Sequence, residues 1–219
     1  MRLRLRITAL AAGTALAAGS LLAAAPAANA TTPTAGEQVV AALLAGYDAQ
    51  GDGNPYDFDI VTTAIIATGL TDSVKGLTNF TLFAPNDRAF EVLAKKVGAL
   101  PSGYTYGATV NETQIVNALV AKLGVDTIRK VLLYHVLNGA AITGAQAAAL
   151  PLWGTRLTML DGQKLAVTNF SRLLGTPAIL LGDKDGSFFN DYVVKTKIDV
   201  IKVPGGVVHG ISDVLLPTL

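Results

Sequence analysis

The sequence contains no cysteine in its 219 residues. This absence excludes disulfide bonds, thiolate metal sites and a lipid-modified N-terminal cysteine. Hydrophobic residues occupy 51% of the positions. A chain of this length buries about 70% of the surface that its unfolded form exposes. We therefore expect one ordinary globular domain that is held together by its core alone.

Side chains that commonly carry catalysis are scarce. Histidine occurs only at positions 135 and 209, and glutamate only at positions 37, 91 and 112. The chain has no H-E-x-x-H helix, P-loop, G-x-G-x-x-G fingerprint or G-x-S-x-G elbow. Ser212 and Asp213 follow His209 closely, but proximity along a chain does not supply the geometry of a catalytic triad. We predict that the protein is not an enzyme and has no catalytic residues or cofactor; a secreted hydrolase with an unrecognised site is the alternative.

The first thirty residues differ in composition from the rest. Arg2, Arg4 and Arg6 precede a charge-free stretch at 7–25, and residues 28–30 form an A-x-A cleavage site. This pattern predicts a signal peptide at 1–30, of an Ala-rich type that we associate with bacteria. An uncleaved anchor is the alternative, because the apolar run approaches the ~20 residues of a spanning helix, although Ala and Gly are weakly apolar.

Cleavage after Ala30 would leave 14 basic and 16 acidic residues, with no basic tract for nucleic acid. No second apolar span follows, so we expect no membrane span in the mature chain. The sequence predicts a secreted protein, with association with the cell envelope left open.

Helical patterns dominate the first part of the mature chain. Apolar residues recur at helical spacing over 37–47, and a turn cluster follows at 50–55. A short strand is predicted at 80–84, and a side-chain oxygen of the following Asn86-Asp87 turn can cap a helix at 88–97. Further helices are predicted at 59–68, at 115–123 with a cap at Thr109 or Asn111, at 126–133 with Asp126 as its cap, and at 143–150. We assign 31–56 to an N-terminal extension and 57–219 to the main domain.

The pattern changes to β structure after Pro151. Residues 156–160 and 164–168 flank Asp161-Gly162-Gln163, a hairpin signal of the Asp-Gly kind. Residues 134–137, 178–181, 192–203 and 206–209 are also predicted to be extended. Helices followed by a mostly antiparallel sheet indicate an α+β fold.

Three segments carry a family resemblance: residues 78–90 (TNFTLFAPNDRAF), 131–137 (VLLYHVL) and 205–217 (GGVVHGISDVLLP). Their order and spacing resemble a fasciclin domain. The positions that match the family's motifs are Phe83, Pro85, Asn86, Phe90, Tyr134, His135, Gly206, Val208 and His209. Gly210 departs from the pattern, because the family often has a bulky apolar residue there.

The resemblance implies a wedge of mainly antiparallel β-sheets with helices packed along one side. It also implies adhesion or assembly at the cell surface or outside the cell, with no family-wide catalytic site. The family's Tyr-His segment has been proposed as a receptor contact, which would place Tyr134 and His135 at a partner surface. The apolar sequence around both histidines favours buried rings bonded to backbone instead.

One loop raises the question of calcium. Asp48, Asp52 and Asp59 lie at positions one, five and twelve of an approximate EF-hand loop, with Gly53 at position six. Gln50 is a poor third ligand, Pro55 stiffens the loop, and Asp59 lacks the reach of a closing glutamate. We predict no metal and an ordinary turn, and solvated hairpin charges at Asp183, Asp185 and Asp191.

We conclude from the sequence that the protein is a secreted interaction module. Its expected partner is an extracellular or cell-surface protein or polysaccharide. The alternatives are the hydrolase named above and a calcium-stabilised structural protein.

Overall fold

The computed structural model describes residues 32–48, 52–106, 112–175, 178–184 and 191–219. The predicted signal peptide at 1–30 lies outside these residues, as do Thr109, Asn111 and Asp185. Residues 33–219 form one compact unit. The first helix, α1 (Ala35–Ala45), belongs to it, because Ala35 and Val39 are buried in the main core. The helix of the predicted extension is therefore part of the folded core.

Most of the helices contribute buried apolar residues to one core. The helices are α1 (Ala35–Ala45), α2 (Asp59–Ala67), α3 (Thr71–Lys75), α4 (Asp87–Lys96), α5 (Glu112–Leu123), α6 (Val125–Tyr134), α7 (Gly144–Ala148) and α8 (Ser171–Leu174). Asn86 caps α4 as predicted, since its side chain accepts from Ala89 N. Thr143 and Gln146 form a capping box at α7.

Two sheets complete the fold. The strands are β1 (Phe80–Pro85), β2 (Val136–Asn138), β3 (Thr155–Thr158), β4 (Lys164–Asn169), β5 (Ile179–Gly182), β6 (Ile201–Val203) and β7 (Gly206–Ile211). One sheet has the order β2-β1-β7-β6 and the other β3-β4-β5. Every strand pair is antiparallel except β1 and β7, which run parallel. The predicted hairpin and the α+β class are confirmed.

The core has two parts, one on each face of the four-stranded sheet. Phe80, Leu82 and Ala84 of β1 face the helices, whereas Phe83 faces the three-stranded sheet. This alternation follows the two-residue period of a strand. All six residues of β1 are buried, so the strand is the centre of the structure.

Two predicted boundaries are wrong near α6. Gly124, and not Asp126, is the N-cap of this helix, because the chain reverses there with a φ of 84° that glycine adopts readily. Asp126 instead lies in the first turn and pairs with Arg129 at 2.9 Å. Tyr134 was predicted to be extended, but it ends the helix, since His135 N donates to Leu132 O and β2 begins only at Val136.

The continuous β segment predicted at 192–203 is also wrong. Tyr192 and Val193 form isolated bridges, Lys195–Lys197 form a 3-10 helix, and β6 begins at Ile201. Asp199 has a φ of 51°, which turns the chain between these pieces. The turn places its backbone N–H against His209.

Candidate functional site

The three motif segments contain residues of three adjacent strands, β1, β2 and β7, together with the start of α4 and the end of α6. β1 pairs with β2 on one side and with β7 on the other. Phe83 N donates to His135 O at 2.9 Å, and the ring centroids of Phe83 and His209 lie 6.0 Å apart. The segments that carry the family resemblance therefore build the middle of the fold.

Tyr134 and His135 are fully buried. The Tyr134 hydroxyl donates to Lys164 O at 3.1 Å. His135 Nδ1 lies 2.7 Å from Val131 O, while its Nε2 accepts from Leu215 N at 2.9 Å. Burial lowers the pKa of His135 to about 4. The structure thus places both side chains inside the molecule, away from any surface that a partner could contact.

His209 has a similar setting. Its Nε2 lies 2.8 Å from Ile142 O, and its Nδ1 accepts from Asp199 N at 3.1 Å. Burial lowers its pKa, although the Ile142 carbonyl and the Asp199 carboxylate, 3.6 Å away, act in the opposite direction. Both rings are neutral connectors between separate parts of the backbone.

The other motif positions also have structural roles. Phe83, Asn86, Phe90, Val208 and Pro85 are buried along β1, α4 and β7. A Cβ on Gly206 would lie 2.9 Å from the Val203 side chain. A Cβ on Gly210 would lie 2.6 Å from the Lys197 side chain, which explains why this chain has no bulky residue there.

A small apolar cavity of about 20 Å³ lies against the three-stranded sheet. Phe83 lines it, and His209 is the only titratable residue in its lining. Such a volume has room for about one water molecule. The cavity is too small to accept a substrate, so it gives the hydrolase alternative no support.

Five acidic side chains converge where three helices begin. We call Asp52, Asp57, Asp59, Asp87 and Glu112 the carboxylate cluster. One oxygen from each of Asp52, Asp57, Asp59 and Glu112 lies within 4.8 Å of the other three. Asp87 adjoins them through the Asp57 carboxyl. The cluster combines a loop with the first residues of α2, α4 and α5.

Backbone hydrogen bonds fix several of these carboxylates. Asp87 Oδ1 accepts from Ile60 N at 2.9 Å and so caps α2 from another helix. Asp59 Oδ2 accepts from Asp48 N at 3.0 Å. Asp52 Oδ1 accepts from Asn54 N at 2.7 Å within the loop. In each case one oxygen is held, which orients the whole carboxylate.

Burial and mutual repulsion raise the pKa values in the cluster. The pKa of Asp87 rises to about 9, mainly through burial and then through its hydrogen bond with Asp57. Burial and the charges of Asp59 and Asp57 raise the pKa of Glu112 to about 7. The pKa of Asp59 is also raised, chiefly by burial. Without a cation, the cluster is an unfavourable place for full ionisation.

The structure brings together only part of what the loop sequence indicated. Asp52 and Asp59 meet, whereas Asp48 contributes its backbone N–H to Asp59. Asp57, Asp87 and Glu112 were not identified from the sequence. The available signal was that α2, α4 and α5 each begin with an acidic residue.

The second acidic loop does not consist of solvated charges throughout. Asp191 is 2% exposed, and Asp183 Oδ2 accepts from Leu216 N at 2.6 Å. These carboxylates are built into the structure, so the prediction of solvated hairpin charges is wrong for Asp191.

An exposed apolar surface lies at the end of β4. We call Leu152, Trp153, Phe170, Leu173 and Leu174 the Trp153 patch. Trp153 is 63% exposed and packs edge to face on Phe170 at 5.4 Å between centroids. Leu173 and Leu174 are 73% and 60% exposed, and their backbone N–H groups both donate to Phe170 O. No sequence signal indicates this patch, because the exposure of a side chain is not readable from its residue type.

No curated protein matches the chain. A solved FAS1 domain pair from the insect cell adhesion molecule Fasciclin I is similar to it, with 17% identity and a TM-score of 0.47. The similarity covers 69% of this chain and 42% of that chain, so this chain spans less than half of that protein's length.

The family comparison covers most of the sequence. The model of the fasciclin domain matches residues 56–217. This range contains all three motif segments and both sheets. The chain therefore belongs to the fasciclin domain family.

Proposed function

We propose that this protein is a secreted, non-enzymatic interaction module of bacterial type, which binds an extracellular or cell-surface partner. Fasciclin domains are associated with cell adhesion and extracellular interaction, and they are generally non-enzymatic. The predicted boundaries, a signal peptide at 1–30, an N-terminal extension at 31–56 and a domain at 57–219, are part of the proposal, with α1 of the extension packed into the core of that domain. So is location outside the cell, free or at the cell envelope.

Export is supported by the leader composition described above. Among the helices of the described residues, none is both long and apolar enough to cross a membrane. The test is to express the full chain in a bacterial host, fractionate the cells and sequence the N-terminus of the exported form. Cleavage after Ala30 is expected. Retention of residues 1–30 on a membrane-bound product would contradict export by cleavage.

The Trp153 patch is the observation that carries the binding function. Its leucines and its tryptophan are exposed, and Trp153, Leu173 and Leu174 each contact Phe170 through its ring or its carbonyl oxygen, whereas single exposed apolar residues are ordinary on protein surfaces. Contact between water and apolar surface is unfavourable in free energy, so burying such a patch against a partner is favourable. Tryptophan is also enriched among the residues that dominate binding energy at interfaces.

The composition of the patch favours a protein partner over a polysaccharide. Leu152 adjoins Trp153 along the chain, and Leu173 and Leu174 follow Phe170 closely; their three side chains offer no hydrogen bond to sugar hydroxyls, so the Trp153 indole N–H is the one side-chain donor of the patch. Aliphatic side chains around a tryptophan anchor match the apolar centre of a protein interface. A polysaccharide is the competing outcome of the test.

The experiment is to immobilise the exported protein and measure binding to surface proteins, matrix proteins and cell-wall polysaccharides at physiological salt. Unfolded protein serves as the first control. The informative variants are Trp153→Ala and Leu173→Ser, and Leu44→Ser on α1 is the matched control because Leu44 is also exposed, at 44%.

Saturable binding to a protein is expected, with at least a tenfold loss in both patch variants, as for interface hot spots. Leu44→Ser should bind like the unmodified protein. Equal binding by all three variants would show that the patch is not the interface. Saturable binding to polysaccharide alone would assign the other partner class.

A further inference from the structure

The carboxylate cluster collects negative charge without a cation to balance it. In the described part of the chain, no Lys or Arg forms an ion pair with any of its five members. The sequence stretches 49–51 and 107–111, which adjoin the cluster along the chain, contain no basic residue. Buried charges in proteins are normally paired or coordinate metals. A balancing charge is therefore missing from the part of the protein that the structure describes.

Buried oxygens without donors provide a second, independent observation. Glu112 is 6% exposed and Asp87 is 3% exposed. Among the described residues, Glu112 Oε2 is buried and has no hydrogen-bond partner. Asp57 Oδ1 and Asp87 Oδ2 are buried without any other donor, and their two carboxyls hydrogen-bond only by sharing a proton. A buried acceptor without a partner is destabilising, and native proteins rarely keep one without a reason.

Helix dipoles do not account for this arrangement. An acidic residue in the first turn is favoured at each helix separately, which explains Asp59, Asp87 and Glu112 individually. The dipoles give no reason for these residues to meet, since convergence adds mutual repulsion. Nor do they supply the donors that the buried oxygens lack.

The geometry matches a site for a hard divalent cation. The four oxygens lie within 4.8 Å of one another, and ligands on opposite sides of a calcium ion are about 4.6–5.2 Å apart, since each lies at about 2.3–2.6 Å. All the ligand atoms are carboxylate oxygens, which suit calcium or magnesium rather than zinc or copper. The ligands come from a loop and from the first turns of helices. Such a set suits calcium, which is larger than magnesium and tolerates a less regular coordination geometry.

The site also has an approach from solvent and a supporting second layer. Asp52 is exposed, Asp57 is partly buried, and Asp59 and Glu112 are buried, so the cluster runs from the surface inward. Backbone N–H groups hold Asp52, Asp59 and Asp87, each through one oxygen. Such outer hydrogen bonds orient ligands before the metal arrives.

We propose that the carboxylate cluster binds one calcium ion through Asp52, Asp57, Asp59 and Glu112, so that the ion joins the loop at 52–57 to the first turns of α2 and α5. The ion would neutralise the shared charge and give the buried oxygens a partner. The assignment is independent of the Trp153 patch and of the identity of any macromolecular partner.

The test is a calorimetric titration of the purified full-length protein with CaCl₂ after treatment with a chelator. The titration extends to about 10 mM, because sites in extracellular modules bind calcium at about 0.1–1 mM. Parallel titrations use MgCl₂, and KCl at matched ionic strength. We expect saturable binding of one calcium ion per chain, weaker binding of magnesium, and no saturable response to KCl.

Variants locate the site. Glu112→Gln removes one ligand charge with little change of shape, and we expect a loss of calcium affinity of about tenfold or more. Asp57→Asn should act in the same direction and provides a second test if the first variant does not fold. The matched control is Asp126→Asn, because Asp126 also lies in the first turn of a helix but outside the cluster.

Three outcomes would overturn the proposal. The first is an absence of saturable calcium binding across the range in folded protein. The second is an equal loss of affinity in Glu112→Gln and Asp126→Asn, which would indicate diffuse attraction of cations. The third is equal affinity for magnesium, which would remove the assignment to calcium. None of these results bears on binding through the Trp153 patch.

Discussion

The two buried histidines and the carboxylate cluster are both sites of buried polar groups, but they differ in whether the chain supplies the hydrogen-bond partners. Each ring nitrogen of His135 and His209 lies within 3.1 Å of a backbone partner. The cluster contains buried oxygens with no such partner among the described residues. Polar groups that are fully satisfied by the chain indicate structural roles, whereas groups left unsatisfied indicate that something outside the chain completes them. The histidines therefore belong to the framework of the fold, whereas the carboxylate cluster is a candidate for binding a ligand.

Removing core volume beside the histidines should have the largest effect. Phe83→Ala should lower the free energy of unfolding by about 3–5 kcal/mol, because Phe83 is 5% exposed and packs near the His209 ring. Chemical denaturation measures this change. A loss below about 1 kcal/mol would mean that the histidine region is not a close-packed core.

The pH dependence of stability tests whether His135 is held neutral. Its pKa is about 4 in the folded protein and about 6.5 when unfolded. As the pH falls below about 6.5, the unfolded state gains a proton that the folded state resists, so stability is lost until about pH 4. This lowering of the His135 pKa corresponds to about 3 kcal/mol.

His135→Gln isolates this effect, because other titrating groups contribute equally to both proteins. The difference in unfolding free energy between the original protein and the variant should be constant above about pH 7. It should then fall by about 3 kcal/mol between pH 6.5 and pH 4. A difference that does not change with pH would show that His135 is not a buried neutral ring.

The cluster should respond to a neutralising change in the opposite direction. In the presence of a chelator at pH 8, Glu112→Gln should raise the unfolding free energy by about 1 kcal/mol, because it removes a buried charge that lacks a partner. Asp126→Asn, at an exposed first-turn position, is the control and should not stabilise the protein. Destabilisation by Glu112→Gln without metal would show that the cluster is satisfied by the chain after all.

The smallest effect on stability is expected in the Trp153 patch. Leu173→Ser should change the unfolding free energy by less than about 0.5 kcal/mol, since Leu173 is 73% exposed. Thermal and chemical unfolding would check this. A large loss would mean that the patch belongs to the core, which would remove the basis for assigning it to a partner.

Local sequence signals predicted the elements that neighbouring residues determine, such as turns and helix caps. The Asp-Gly turn indicated the β3–β4 hairpin, and Asn86 indicated the start of α4. The prediction of a strand at 192–203 was wrong because the conformation of this segment depends on contacts with distant residues. Val193 bridges to Ile211, while Asp199 N and Asp199 Oδ1 contact His209 and Gly144.

The candidate site could be predicted only in fragments. An EF-hand spacing searches twelve consecutive residues, which is enough to find Asp52 and Asp59 but not Asp87 or Glu112. Asp87 reaches Ile60 across 27 positions. The packing of α2, α4 and α5 brings these carboxylates together, and no local pattern contains that information.

The sequence by itself determined the α+β class, the three motif strands and a core that needs no disulfide, because hydrophobic periodicity and turn chemistry are properties of neighbouring residues. Only the tertiary structure decided that His135 is buried against Leu215, 80 residues away, that five carboxylates meet, and that the Trp153 patch remains exposed. Burial and hydrogen-bond satisfaction depend on which distant segments pack together, so they are settled only when the chain has folded.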